Sequence, residues 1–303
     1  MYAYYLAYLF AIASLLYRLK PGKRFVPPYR FVALGVLLLA LFAYEGAAQY
    51  ALLISGYIVF GAMAHAELGR QRMLFIILSL AYLMLAIPYL DVILIAQAML
   101  FAMLAEAGQF KGSYNVPGRE KKEIMRDAVQ ALLGMCTVLI FLYMSLPIAK
   151  DLILLFVLAG YTLGAYASER NDSAIAHKLY SMERSYTKLG HGAFWVATGM
   201  LIAVSFLNSQ MPIVSVAAAL LIGDSAATIT GKIIAGPRLP YNRRKTLSGS
   251  MALFAVTALI SYPILGPVGL LAAALAAIVE SLPLPLDDNL AVPLALTIFY
   301  VVF

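Results

Sequence analysis

Apolar runs of about 15 to 20 residues alternate with short polar loops along almost the whole chain, the pattern of helices that cross a hydrocarbon layer roughly 30 Å thick. The runs predict spans near 2–17, 31–48, 50–66, 73–89, 91–107, 127–147, 151–168, 193–207, 211–234, 248–264, 266–281 and 290–303. The expected architecture is therefore all-α, a polytopic integral membrane protein of about twelve transmembrane helices. A membrane β-barrel would need segments of about ten residues with period-two alternation, which these runs do not have. Two longer polar segments, 108–126 and 169–192, interrupt the series. The second divides an N-terminal membrane region, 1–183, of unassigned role from a C-terminal region, 184–303, where polar residues enter the apolar runs.

Composition agrees with this pattern. Hydrophobic residues make up 63% of the 303 residues and charged residues 12%, with mean hydropathy +0.87, which excludes an ordinary soluble globule. The net charge of +7 does not indicate a nucleic-acid partner, because the Lys and Arg residues sit in short loops between apolar runs. With the N-terminus outside, all but Lys150 of the 22 Lys and Arg residues fall on or near the cytoplasmic face. The first apolar run begins at Tyr2 with no basic segment before it, and reads as a retained helix rather than a cleaved signal. Cys136, the single cysteine, reads as a small packing residue.

The candidate chemistry lies between Gly223 and Ser250. Asp224, Thr228 and Gly231 recur at i, i+4 and i+7 on one helix face. Ala227, Gly231 and Ala235 form a small-xxx-small ladder along which another backbone can approach closely. An ionised Asp at this depth is costly unless it meets a cation or water. The following loop is stiffened by Pro237 and Pro240 and carries Arg238, Arg243, Arg244 and Lys245. Thr246, Ser248, Gly249 and Ser250 open the next helix, whose N-terminal N–H groups and dipole suit a phosphate. The next span returns to the same face at Glu280, followed by Asp287, Asp288 and Asn289. Hard oxygen ligands such as Asp224, Glu280 and Asp288 suit Mg²⁺, which usually takes one or two carboxylates together with substrate phosphates. Phosphoryl transfer needs metal and cations around the moving group and a carboxylate near the attacking hydroxyl. The Gly-x-x-x-x-Gly-Lys-[Ser/Thr] phosphate loop is absent, so a nucleotide would be held in another way.

Gly223-Asp224, Ala227, Gly231, Lys245-Thr246, Gly249-Ser250, Glu280 and Asp288-Asn289 together resemble the signature of the CTP-dependent polyprenol kinases, which include dolichol kinases, phytol and farnesol kinases and the yeast-type CTP-using diacylglycerol kinase. In dolichol kinases the pattern runs D-x-x-A-x-x-x-G-x-x-x-G and then K-K-T-x-E-G-T. Here the second glycine is Gly236 rather than residue 235, Arg244 stands for the first Lys, and Ser248 stands for the Glu. Phytol-kinase-like members also lack that Glu. Upstream, Lys188-Leu189-Gly190-His191 is similar to the R-K-x-x-H segment of the family, so the resemblance covers about 184–303.

The resemblance implies transfer of the γ-phosphate of CTP to the hydroxyl of a polyprenol- or dolichol-type membrane alcohol at the cytoplasmic face. The membrane would be the cell membrane in a prokaryote and the endoplasmic reticulum in a eukaryote. It further implies Mg²⁺ and CTP at Asp224, phosphate contacts from Lys245, Gly249 and Ser250, and metal binding or base catalysis by Glu280 and Asp288. Arg243, Arg244, Thr246, Ser248, Asn289, Lys188 and His191 would complete the nucleotide site, with Ala227, Thr228 and Gly231 beneath it. Two other readings compete. A CTP:phosphatidate or ether-lipid cytidylyltransferase is also polytopic, but its H-G-G-x-x-D-R-x-D ending is missing. A transporter would show repeat symmetry and interrupted helices near the midplane.

Overall fold

The computed structural model describes residues 50, 54, 57, 58, 61, 72–87, 89–107, 119–170, 173–182, 190–234 and 236–303. These are helical almost throughout, with an isolated antiparallel bridge between Arg238 and Thr246. The chain divides into two compact units, Met1–Gln109 and Phe110–Phe303. The boundary expected near residue 183 falls within the second unit.

In the first unit, α1 spans Arg72–Ala86 and α2 spans Leu90–Ala107. Helix α2 is apolar over most of its surface, as a helix surrounded by protein should be, and Leu94, Ile95, Ala96 and Leu100 are wholly buried. Gln97 lies in the middle of α2 and is wholly buried, accepting a hydrogen bond from the Tyr57 hydroxyl. Glu45, Gln49 and His65 lie outside the described residues.

The second unit holds α3 (Arg119–Tyr143), α4 (Leu146–Glu169), α5 (Ala174–Met182), α6 (His191–Phe206), α7 (Gln210–Ile233), α8 (Leu247–Leu265), α9 (Pro267–Ser281) and α10 (Asp288–Val302). Helix α5 lies inside the polar segment read as a loop from the sequence. Helix α3 begins earlier than the apolar run because its charged first turns, starting at Arg119, continue the helix beyond the apolar stretch.

Four described helices are long and apolar enough to span a membrane: Ile124–Tyr143, Leu146–Glu169, Gln210–Ile233 and Leu247–Leu265. Four more apolar helices, Leu90–Ala105, His191–Phe206, Pro267–Ser281 and Asp288–Val302, are shorter than a full span. At 1.5 Å per residue a 15-residue helix covers only about 22 Å of a core about 30 Å thick. The structure thus supports an all-helical integral membrane protein but not a count of about twelve spans. The expected spans 2–17 and 31–48, and most of 50–66, fall outside the described residues.

Helix α7 is the axis of the second unit. Its apolar window is 67% buried, against 28%, 28% and 22% for the other three long helices. It packs against α3, α8 and α10. The outer helices turn Leu132, Leu133, Leu155, Phe156, Leu259 and Leu271 outward. Such an apolar exterior suits lipid. Lys150, assigned from the sequence to the opposite face, is 4% exposed at the start of α4.

Two close approaches fix how the C-terminal helices stack. Gly266, with φ 59°, alone joins α8 to α9, and its missing side chain permits this reversal. Gly199 of α6 faces α10, where an added Cβ would lie 2.4 Å from the Asn289 carbonyl oxygen and 2.4 Å from Pro293 Cγ. That contact matters because α10 begins at Asp288. Gly199→Ala should therefore cost about 1–3 kcal/mol through overpacking. Gly160→Ala, where an added Cβ meets nothing within 4 Å, should be neutral or slightly stabilising. Thermal melts of both variants in one detergent test the difference.

Candidate functional site

The site is built where α7 ends, α8 begins, α9 ends and α10 begins. Between α7 and α8 the chain folds into a compact hairpin rather than a loose topogenic loop. The Leu239 N–H donates to the Lys245 carbonyl at 3.0 Å, the Lys245 N–H to Asn242 at 3.0 Å, and the Leu247 N–H to Pro237 at 2.9 Å. Leu239 is buried beneath it. The hairpin is clamped to the end of α9 by Asn242 Nδ2, which donates to the Ser281 carbonyl at 3.0 Å. Tyr241 Oη lies 3.0 Å from Ser281 Oγ, which already donates to Ile278, so the tyrosine is the donor.

This clamp aims one cation inward. Lys245 Nζ donates to Glu280 Oε1 and, at 2.5 Å, to Asp288 Oδ2. The side chains of Glu280, Lys245 and Asp288 are 5%, 23% and 35% exposed, so the pairing lies at the border of protein and solvent. Burial alone would lower the Lys245 pKa, but the charges and hydrogen bonds of Asp288 and Glu280 outweigh it and hold the ammonium above the ordinary lysine range. Ser250 Oγ reaches Glu280 Oε2 at 3.5 Å. Asp287 caps α10 by accepting from the Asn289 N–H at 3.0 Å, which turns Asp288 into the first helical position.

A narrow concavity, too tight here to admit a water molecule, is lined by Asp224, Glu280, Asp288 and Asn289, with Ala219, Leu220, Leu253 and Val292 forming its apolar side. Acidic residues from three helices, Asp224 more than fifty positions before Glu280 and Asp288, thus share one surface. Among the described residues no three His, Cys, Asp or Glu side chains are gathered to hold a metal by themselves. Glu280 and Asp288 instead share the Lys245 ammonium. The concavity offers carboxylate and amide oxygens from Asp224, Glu280, Asp288 and Asn289, the donor chemistry that hard cations take.

The remaining expected residues divide by position. Ala227, Gly231 and Gly249 serve the close passage of α7 against α8: an added Cβ on Gly249 would lie 2.9 Å from the Ala227 carbonyl oxygen, and one on Gly231 2.9 Å from Thr246 Oγ1. Ala235 lies outside the described residues. Thr228 is partly buried on the same helix. The start of α8 is more self-contained than its sequence implies. Thr246 is its N-cap and accepts from the Gly249 N–H at 3.2 Å, Ser248 Oγ donates to Thr246 Oγ1 at 3.2 Å, and the Leu247 N–H is bonded to Pro237. A phosphate there would meet fewer open donors than a bare helix end offers. Arg243 and Arg244 are exposed on the hairpin. His191 begins α6 after Gly190 (φ 76°) and packs edge-on against Trp195 with centroids 6.3 Å apart. Lys188 lies outside the described residues.

Sequence reasoning missed Gln130 of α3. Its Nε2 donates to Asp224 Oδ2 at 3.2 Å and to the Leu220 carbonyl at 3.3 Å. Asp127, one turn earlier on the same face, is buried where Gln130 is half-buried, and it pairs with Arg126 at 2.6 Å. The signal was the polar pair Asp127 and Gln130 at i, i+3, in register with Gly134, Thr137 and Phe141, which are all buried.

Comparison with known proteins gives modest likenesses. An uncharacterised protein of Methanocaldococcus jannaschii is 27% identical over 177 residues, covering 57% of this chain and 89% of that protein. Phytol kinase 1, chloroplastic, of Arabidopsis thaliana is 29% identical over 137 residues, and probable phytol kinase 3, chloroplastic, of Glycine max 32% over 120 residues. These matches cover 39% and 33% of this chain, and 45% and 37% of the plant proteins, so the chain spans less than half the length of the phytol kinases it matches. No family model and no solved structure matches.

The ion-pair geometry generates a test that needs no substrate. Lys245→Met leaves two carboxylates without their shared cation, and should cost about 2 kcal/mol, less than a fully buried pair because Asp288 is partly solvated. A raised lysine pKa contributes stability that is complete below about pH 10.4, the unfolded value, and is lost only as pH rises through the higher folded value. The melting gap between wild type and Lys245→Met should therefore stay constant from about pH 7 to pH 9. A gap that closes within that range would contradict the assigned pairing.

Proposed function

We propose that this chain is a lipid kinase that transfers the γ-phosphate of CTP to the hydroxyl of a membrane isoprenoid alcohol of the phytol or polyprenol class at the cytoplasmic membrane face. The observation that carries the proposal is the meeting of a basic hairpin, through Lys245, with Glu280 and Asp288 beside a concavity that Asp224 also lines, in a chain similar to phytol kinases.

The chemistry asked of these residues is modest. The alcohol oxygen attacks the γ-phosphorus, a new O–P bond forms, the bond to the bridging β–γ oxygen breaks, and CDP leaves. Charge spreads over the equatorial oxygens of the moving group, so the protein must mainly position and neutralise. Lys245 is placed to exchange its carboxylate partners for phosphate oxygens as a point charge. That exchange would leave Glu280 and Asp288 available, one to accept the alcohol proton. Asp224 and Asn289 are the residues that would hold the magnesium–nucleotide. Bound Mg²⁺ would supply charge neutralisation of the phosphates. The apolar side of the concavity, Ala219, Leu220, Leu253 and Val292, suits the hydrocarbon of an alcohol that stays in the bilayer.

Purified protein given γ-labelled CTP, Mg²⁺ and alcohols from farnesol and phytol to long polyprenols should yield labelled lipid phosphate and CDP. Asp224→Ala and Lys245→Ala should each reduce transfer by at least about two orders of magnitude, the usual effect of removing a charge-stabilising group. No labelled lipid with any alcohol would sink the proposal. Pyrophosphate release would favour a cytidylyltransferase, and solute flux without nucleotide consumption a transporter.

A further inference from the structure

Asp224 sits at an irregularity in its helix. Residues Ala218–Gly223 form a π-helical turn, and the Asp224 N–H bonds to the Ala219 carbonyl, five residues back. In an α-helix that N–H would take the Leu220 carbonyl. The wider turn changes the local hydrogen bonding, and Gln130 of the neighbouring α3 supplies a donor to the Leu220 carbonyl. Turns of this kind occur often at functional sites.

The Gln130 amide spends both of its N–H groups here. One goes to the Leu220 carbonyl at 3.3 Å and the other to Asp224 Oδ2 at 3.2 Å. The Leu220 carbonyl can only accept, so the NH₂ side of the amide must face the turn. The side chain therefore ties the Asp224 carboxylate to the backbone of the turn that carries it. The two helices come close enough for this because Gly134, one turn further along α3, meets Leu221 and Ile222, where an added Cβ would lie 2.6 Å from Leu221 Cβ.

We infer that Gln130 is a positioning residue that fixes the orientation of Asp224 for binding a divalent metal–nucleotide, an inference that rests on the lipid-kinase reading. Its contribution passes through Asp224 and vanishes when Asp224 is removed. Outer-shell partners of this kind are commonly worth about 10- to 100-fold in metal affinity or activity.

The test titrates Mn²⁺ with CTP against detergent-solubilised protein by electron paramagnetic resonance, and measures γ-phosphate transfer in parallel. Gln130→Met keeps the length of the side chain but loses both donors. Gln130→Ala is read beside it, each on the folded, monodisperse fraction. Both variants should weaken Mn²⁺–CTP binding by about tenfold. In an Asp224→Ala background the same substitutions should change binding by less than about twofold, the outcome of a double-mutant cycle in which one residue acts through the other. Wild-type affinity and transfer in both Gln130 variants would overturn the inference while leaving the kinase reading intact. An equal loss in both backgrounds would also overturn it, marking Gln130 as a packing residue alone. Wild-type protein that binds no Mn²⁺–CTP would instead overturn the kinase reading, and the inference with it.

Discussion

The ammonium of Lys245 held between Glu280 and Asp288 is the interaction on which the rest of the site depends. Each carboxylate comes from a different helix and the lysine from a hairpin between two others, so this pairing defines where four segments meet. A partly buried pair of like charges is unfavourable unless a cation lies between them. Here the cation is delivered by a loop whose backbone bonds and clamp to Ser281 leave it little freedom. The same contact that closes the fold around α8, α9 and α10 therefore places the Lys245 ammonium.

Around that centre the bundle is assembled by backbone proximity rather than by hydrophobic attraction, which cannot distinguish protein from lipid inside a bilayer. Gly199 brings α6 against α10, Gly249 brings α8 against α7, and Gly266 turns α8 directly into α9. Buried hydroxyls add a few directed links: Ser261 and Tyr300 both meet Ser215, each at 2.8 Å. The result is a scaffold tight enough to hold acidic groups from α7, α9 and α10 on one concavity while its outer faces remain apolar.

Much of this was legible in the sequence because it follows from period and sign of charge. The apolar runs identified membrane helices, and the return of one of them to the starting face put Glu280 near Lys245. The small residues Ala227, Gly231 and Gly249 marked a close helix approach. What the sequence could not reveal depends on three dimensions. Runs such as 266–281 and 290–303 read as spans although the helices they form are shorter than the hydrocarbon core is thick, so the expected number of crossings exceeded what the described residues support. A Thr that caps its own helix looks the same in sequence as one that binds phosphate. Gln130 lies 94 positions from Asp224, and nothing in its neighbourhood identifies its partner. The π turn that alters the Leu220 bonding has no sequence signature of its own.

The central claim is that Lys245, Asp224, Glu280 and Asp288 form a single nucleotide site. It is tested most directly by a cryo-electron-microscopy structure of the protein with Mg²⁺ and a non-hydrolysable CTP analogue. The account predicts triphosphate density in the concavity, with Lys245 turned from the carboxylates to a phosphate oxygen and Asp224 facing the metal. Nucleotide density at another surface, with Lys245 still held between Glu280 and Asp288, would contradict it.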